Sequence, residues 1–253
     1  MVTLTNLDAD QIERFALGRG VTDPKAMLDA IERGDAWSFA AWPQDLSEVV
    51  TFWTQNHRIG SRLELMRASI DRRLMEWDPD RSEARPLAKA RAQAAVRILA
   101  GAATLTGQQA IEVADARTAS GKGLAVADLL PDWNEADLAV LLGRPIFDDE
   151  IYGAVRFHHR SVREYLTAEW LTDLLKRQTS RQAVEQLFFQ VRYGLEVVVP
   201  TLRPILPWLV LLDDGIRQRV ARLAPEIFFE GGDGRGHRAC PRRLRRRTGQ
   251  AQA

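Results

Sequence analysis

Arg144 to Leu171 reads RPIFDDEIYGAVRFHHRSVREYLTAEWL, and the change of rhythm inside it decides the fold. Ile146 and Phe147 precede a polar turn from Asp148 to Gly153, after which Val155 and Phe157 alternate with other residues, the pattern of a β-hairpin. Beyond it the period becomes helical: Val162, Tyr165, Leu166, Ala168, Trp170 and Leu171 form a broad apolar face. Ser161 and Glu164 have the S-x-x-E spacing of a capping box, which predicts Ser161 as the N-cap. His158, His159 and Arg160 would then stand at the positive end of the helix dipole, where free N–H groups and cationic side chains suit a phosphate. The same apolar face also serves simply to dock the helix on a core, and local chemistry taken alone favours that reading over an anion site.

The segments on the N-terminal side predict helices. Asp8 with Gln11 caps a helix bearing Ile12, Phe15 and Ala16, which Gly18 or Gly20 ends. Asp23 and Pro24 form an N-cap and N1 pair before Met27, Ala30 and Ile31, with Gly34 as the stop. Pro43 opens a helix carrying Leu46, Val49, Val50 and Trp53. Ser61 and Glu64 form a second capping box, before a helix with Leu63, Met66, Ile70 and Leu74 on one side. His57 falls in the polar turn between these two. A charged connector from Asp78 to Arg85 ends at Pro86, and Leu87 to Ala103 reads as an alanine-rich packed helix. Residues 115–134 read as loop-rich before a short helix, Glu135 to Leu142. In ASGKGL, Lys122 is followed by Gly123 with no glycine at the required upstream distance, so it is no phosphate-cradling loop.

From Ala183 onward, FFQVRYGLEVVVPTLRPILPWLVLLDDGIRQRVARLAPEIFF reads as short apolar helices separated by prolines, consistent with stacked helical hairpins. Trp53, Trp170 and Trp208 read as core anchors. The expected class is mainly α: a small helical bundle over 1–82, a winged-helix domain with a short β-hairpin over 83–178, the start of a helical scaffold over 179–233, and a disordered or out-of-frame basic tail over 234–253.

Composition bounds what this chain can do. Its 253 residues and 45% hydrophobic content suffice for a real core. No apolar run approaches the roughly 20 residues that span a bilayer, and the N-terminus has no signal-like pattern. With the single Cys240 excluding a disulfide framework or a multi-cysteine zinc site, the expected location is the cytoplasm, away from membranes. The net charge of +1 hides an asymmetry: seven arginines and no acid follow Asp233, leaving residues 1–233 with 28 basic against 34 acidic groups, a net −6. Those arginines would attract a phosphate backbone, the one feature that suggests nucleic acid.

Two motifs in this order resemble the part of a STAND-class NTPase of the NACHT type that follows the nucleotide-binding core. AWPQDLSEVVTFWTQNHRIGSRLELMRASIDRRL is similar to the family's proline-led, leucine-rich element. FHHRSVREYLTAEWL is similar to its F-x-H-x-S-x-x-E-Y/F-L-A-A segment at the end of the winged helix. The resemblance implies that Pro43 packs near the adenine of a bound nucleotide and that His159 contacts the phosphate of ADP, holding the inactive state. His158 falls on a position that in the family is usually apolar or variable. The candidate binding residues are therefore His159, Pro43 and Arg160, with no catalytic or metal-binding residue. The family are ATPases, but this sequence has no Walker A loop, no acidic Walker B strand and no parallel α/β core, so no hydrolysis by this chain alone is expected. ADP or ATP would bind only with a complete core.

The resemblance implies a regulatory and scaffold fragment of a signalling switch, with bacterial antiviral defence as a setting. Its partners would be a missing nucleotide-binding core or neighbouring-gene product and further copies of itself. A second reading is a stand-alone winged-helix DNA-binding regulator with the arginine-rich tail as an electrostatic arm, against which the acidic body argues. A third gives His158 or His159 a general-base role beside Asp148, Asp149 or Glu150, but no nucleophile or metal spacing accompanies them.

Overall fold

Side-chain caps set where the first helices begin. In the computed structural model, which describes residues 7–34, 36–40, 43–75, 87–113 and 123–230 and leaves out the side chains of 38, 39 and 43–45, Asp8 accepts from the Gln11 N–H at 2.8 Å. The Gln11 side chain answers from the Asp8 N–H at 3.0 Å, completing the box that opens α1 (Ala9–Gly18). Asp23 accepts from the Ala26 N–H at 2.9 Å, and Pro24 starts α2 (Pro24–Arg33), which buries Met27, Ala30 and Ile31. Next come α3 (Trp37–Ala40) and α4 (Pro43–Asn56). His57, exposed and at φ 50°, turns the chain towards Ser61, whose box with Glu64 opens α5 (Arg62–Leu74). The connector from Asp78 to Pro86, the loop through Lys122 and the tail over 234–253 lie outside the described residues.

Two long helices make the central packing. α6 (Lys89–Thr106) ends at Gly107, whose φ of 73° supplies the left-handed stop, and α9 (Arg160–Leu175) lies along it. Gly101 lets them approach: a Cβ there would stand 2.7 Å from the Trp170 indole. Thr104 and Thr167 share a 3.0 Å hydrogen bond across the same seam, and Arg97 donates to Glu169 at 3.0 Å.

In sequence, a small sheet falls between these two helices. β1 (Ile111–Glu112) pairs parallel with β2 (Leu124–Ala125) and antiparallel with β3 (Ala154–Val155), in the order β2-β1-β3. α7 (Val126–Leu129) and α8 (Glu135–Leu142), the latter capped by Asn134, lead to the expected hairpin. Its arms meet at the Phe147–Phe157 and Ile151–Ala154 bridges, and Tyr152 and Gly153 turn at φ 54° and 75°. Positive φ at both central residues matches the right-handed twist of the arms. The passage over 115–134 thus ends in a strand and a helical turn that sequence reading assigned to loop.

The C-terminal third departs further from expectation. After α10 (Gln178–Phe188), the run FQVRYGLEVV is a second hairpin and not helix: β4 (Phe189–Arg192) pairs with β5 (Leu195–Val198), and Tyr193 and Gly194 turn at φ 52° and 78°. Glu196 anchors it to α12 (Asp214–Leu223) through ion pairs with Arg219 and Arg222. A 3₁₀ turn over Pro200–Ile205, α11 (Leu206–Leu209) and a second 3₁₀ turn over Pro225–Phe229 fit the expected short segments marked by prolines.

One contiguous core runs from Ile12 to Ile227. Trp208 is fully buried edge-on to Tyr165, with ring centres 5.3 Å apart, while Trp53 and Trp170 are partly buried against the same core. Each such large side chain contributes roughly 1.5–3 kcal/mol or more of apolar burial, which outweighs the weak propensities of the short elements. The described residues are mainly helical with two small sheets, and none of their helices is long and apolar enough to cross a membrane.

Candidate functional site

α9 begins two residues earlier than its sequence suggests, which corrects the expected capping box. Arg160 is already the first helical residue and His159 is the N-cap, in extended backbone at φ −124°, with no side-chain cap bond. The reason lies in Glu164. Its carboxylate is buried and takes the Arg160 Nε–H at 2.6 Å, so it does not reach back to cap from Ser161. The hairpin fixes the same start from the other side, because the His158 N–H donates to the Ile146 carbonyl at 3.1 Å.

The two histidines therefore face different surroundings. His158 is largely exposed, and its Nδ1 makes a short contact with Asp148 across the hairpin. His159 stands beside it, ring centres 4.4 Å apart and edge-on, but its Nε2 is buried and meets no hydrogen-bond partner among the described residues. Burial, then the nearby Arg73 charge, then His158 hold the His159 pKa down to about 4 against a small opposing pull from Asp148. The ring is thus neutral at pH 7 and offers one donor and one acceptor.

Arg73 is the residue that sequence reading missed. Near the end of α5 it donates to Ser69 at 3.3 Å, to Glu48 of α4 at 3.3 Å and to the Pro145 carbonyl at the foot of the hairpin at 3.4 Å. Arg72 adds a second contact to Glu48. Through this tie the helix opening at Pro43 joins the turn carrying His159. Pro43 starts α4, but its side chain lies outside the described set, so its distance to His159 is undefined. Arg160 is half-exposed and already committed to Glu164. One turn further on, Arg163 has a buried Nε without a partner among the described residues, and burial lowers its pKa. No spacing rule marks Arg73 or Arg163, because both depend on which helix faces which.

Beside the hairpin lies a half-open cavity of about 710 Å³ that includes Arg73, His158 and the acidic turn Asp148 to Glu150. Among the described residues no group of three or more His, Cys, Asp or Glu could hold a metal ion. What the His159 surroundings can do chemically is meet an anion: a neutral imidazole, a guanidinium field and the N–H groups of an uncapped first turn all favour negative charge. No protein-family model and no curated protein matches the chain.

Proposed function

We propose that this chain is the regulatory and scaffold portion of a NACHT-type nucleotide-dependent switch, in which the α9 start reads the phosphate end of ADP. The observation that carries this reading is the buried, unpartnered Nε2 of His159 within the field of Arg73, since a buried polar atom without a partner is unfavourable until a ligand meets it. The run α6, β1, β2, α7, α8, hairpin and α9 is also the order of parts expected of a winged helix. α10 to α12 would start the scaffold.

In this reading the nucleotide supplies the charge that bridges the chain to a nucleotide-binding core. His159 donates from Nε2, Arg73 adds its positive field, and α4 follows because Glu48 is tied to Arg72 and Arg73. Losing the nucleotide would then favour a second arrangement of these elements, a shift no larger than the ligand's difference in affinity for the two. In this reading hydrolysis would belong to a nucleotide-binding core that acts with this chain.

The test is an NMR titration of the His159 imidazole with millimolar ADP and, separately, AMP. We expect ADP to move the His159 ring signals more than AMP does, with the ring pKa rising towards its ordinary value. Without the core the contact is expected to be weak, and equal responses to the two nucleotides would overturn the assignment.

A further inference from the structure

The cavity beside the hairpin is amphiphilic, and its free charge is negative. Leu142, Pro145, Phe147 and Val155 are among its apolar lining. Arg73 at its edge is paired with Glu48, and Arg144 is buried, whereas Asp149 and Glu150 are exposed and make no ion pair among the described residues. Asp148 shares its charge with His158. The arrangement suits a basic peptide: guanidinium groups to the rim and an occasional apolar side chain to the floor.

The chain carries such a peptide. Residues 234–253 hold seven arginines and no acid, with Leu244 inside the run PRRLRRR, while the rest of the chain is net negative. Position makes the match possible. The Glu230 carbonyl accepts from Arg62 at 3.4 Å, at the start of α5, and Arg73 near the end of α5 lines the cavity. These two arginines stand eleven residues apart on one helix, about 16 Å along its axis. The twelve residues from 231 to 242 can span up to about 40 Å when extended, so the arginines reach the acidic rim without strain.

We propose that this groove is a docking site for the chain's own arginine-rich segment, Arg235 to Arg247. The proposal is independent of the nucleotide reading, since it uses Asp149, Glu150 and the apolar floor and asks nothing of His159.

Cys240, the only cysteine, lies within that segment and takes a nitroxide label without any substitution. In the labelled full chain at low salt, we expect paramagnetic broadening of the amides of Gly143, Arg144 and Asp148 to Tyr152. The Asp149→Asn, Glu150→Gln double variant should abolish it, as should about 1 M salt, where the screening length falls to ~3 Å. Broadening confined to the neighbours of Glu230 would overturn the proposal, as would broadening that persists unchanged in the double variant. Mixing labelled with isotopically enriched, unlabelled chain separates the sources. Broadening at the same sites in that mixture at full strength would assign the groove to a second copy and overturn docking within one chain.

Discussion

Arg67 on α5 donates from Nε to the phenol oxygen of Tyr165 on α9 over 2.9 Å, joining two helices 98 residues apart in sequence. Tyr165 donates its own O–H to Glu169 at 2.5 Å, and Glu169 also accepts from Arg97 of α6 at 3.0 Å. Burial, reinforced by Glu169, raises the phenol pKa well above its ordinary value, so the group stays a donor throughout the working range. Replacing Tyr165 by Phe keeps the ring against Trp208 and removes only the relay. The expected loss is about 1 kcal/mol, since Glu169 keeps Arg97 and Arg67 is half-exposed. Urea denaturation measures it, and a loss above about 3 kcal/mol would mean the network is more cooperative than its contacts imply.

The α6–α9 seam predicts a second outcome. Ala in place of Gly101 should gain up to about 1 kcal/mol of helix propensity, but its Cβ would meet the Trp170 ring at 2.7 Å, and such overpacking costs typically about 1–3 kcal/mol. The steric term wins, so Gly101→Ala should lower the unfolding free energy. Adding Trp170→Leu should then recover part of the loss, which a thermodynamic cycle on the two substitutions would reveal.

At Glu64 the prediction concerns pH. The hydrogen bond from Arg58 and then the Ser61 N–H lower its pKa from the ordinary 4.5 to about 2. A depressed carboxyl contributes stability that is present above 4.5 and fades as pH falls towards 2. Glu64→Gln should therefore flatten the acid limb of the stability curve in that window. Ser61→Ala, which removes the cap at neutral pH, should reduce stability by about 1 kcal/mol.

His159 has the opposite chemistry and a higher window. Its folded pKa of about 4 lies below the ordinary 6.5, so the unfolded chain takes up a proton first as pH falls. The stability held by the neutral ring is present above 6.5 and lost between 6.5 and 4. Denaturation midpoints measured across that interval should fall more steeply for the native chain than for His159→Gln, and the NMR titration of the ring should read about 4 directly. A midpoint near 6.5 would mean that the ring is hydrated.

Much of this was legible in the residues. The caps at Asp8, Asp23 and Ser61 stand where their spacing places them, because each satisfies backbone N–H groups within three residues of itself. The hairpin between Ile146 and Phe157 was legible too, since alternation and a polar turn act locally, although the turn read as Asp148 to Gly153 is tighter, at Tyr152 and Gly153. The hairpin turning at Tyr193 and Gly194 was missed because it lies within a run apolar enough to pass for helix, an ambiguity that a short stretch cannot resolve by itself. β1 and β2 are two residues each and are defined by their pairing with each other and, for β1, with the distant β3.

The candidate site divides along the same line. His159 was found from its motif, but Ser161 lost the cap because Glu164, once buried, binds Arg160 in preference to a backbone N–H. Arg73 carries the link from Glu48 to Pro145 and the field at His159, and nothing around it in sequence announces that role. Sequence alone determined the starts of α1, α2 and α5, the first hairpin and the mainly helical class, because caps, periods and turns are satisfied by near neighbours. Only the tertiary structure decided which polar groups lose water and which distant partners meet them, because desolvation depends on what packs overhead.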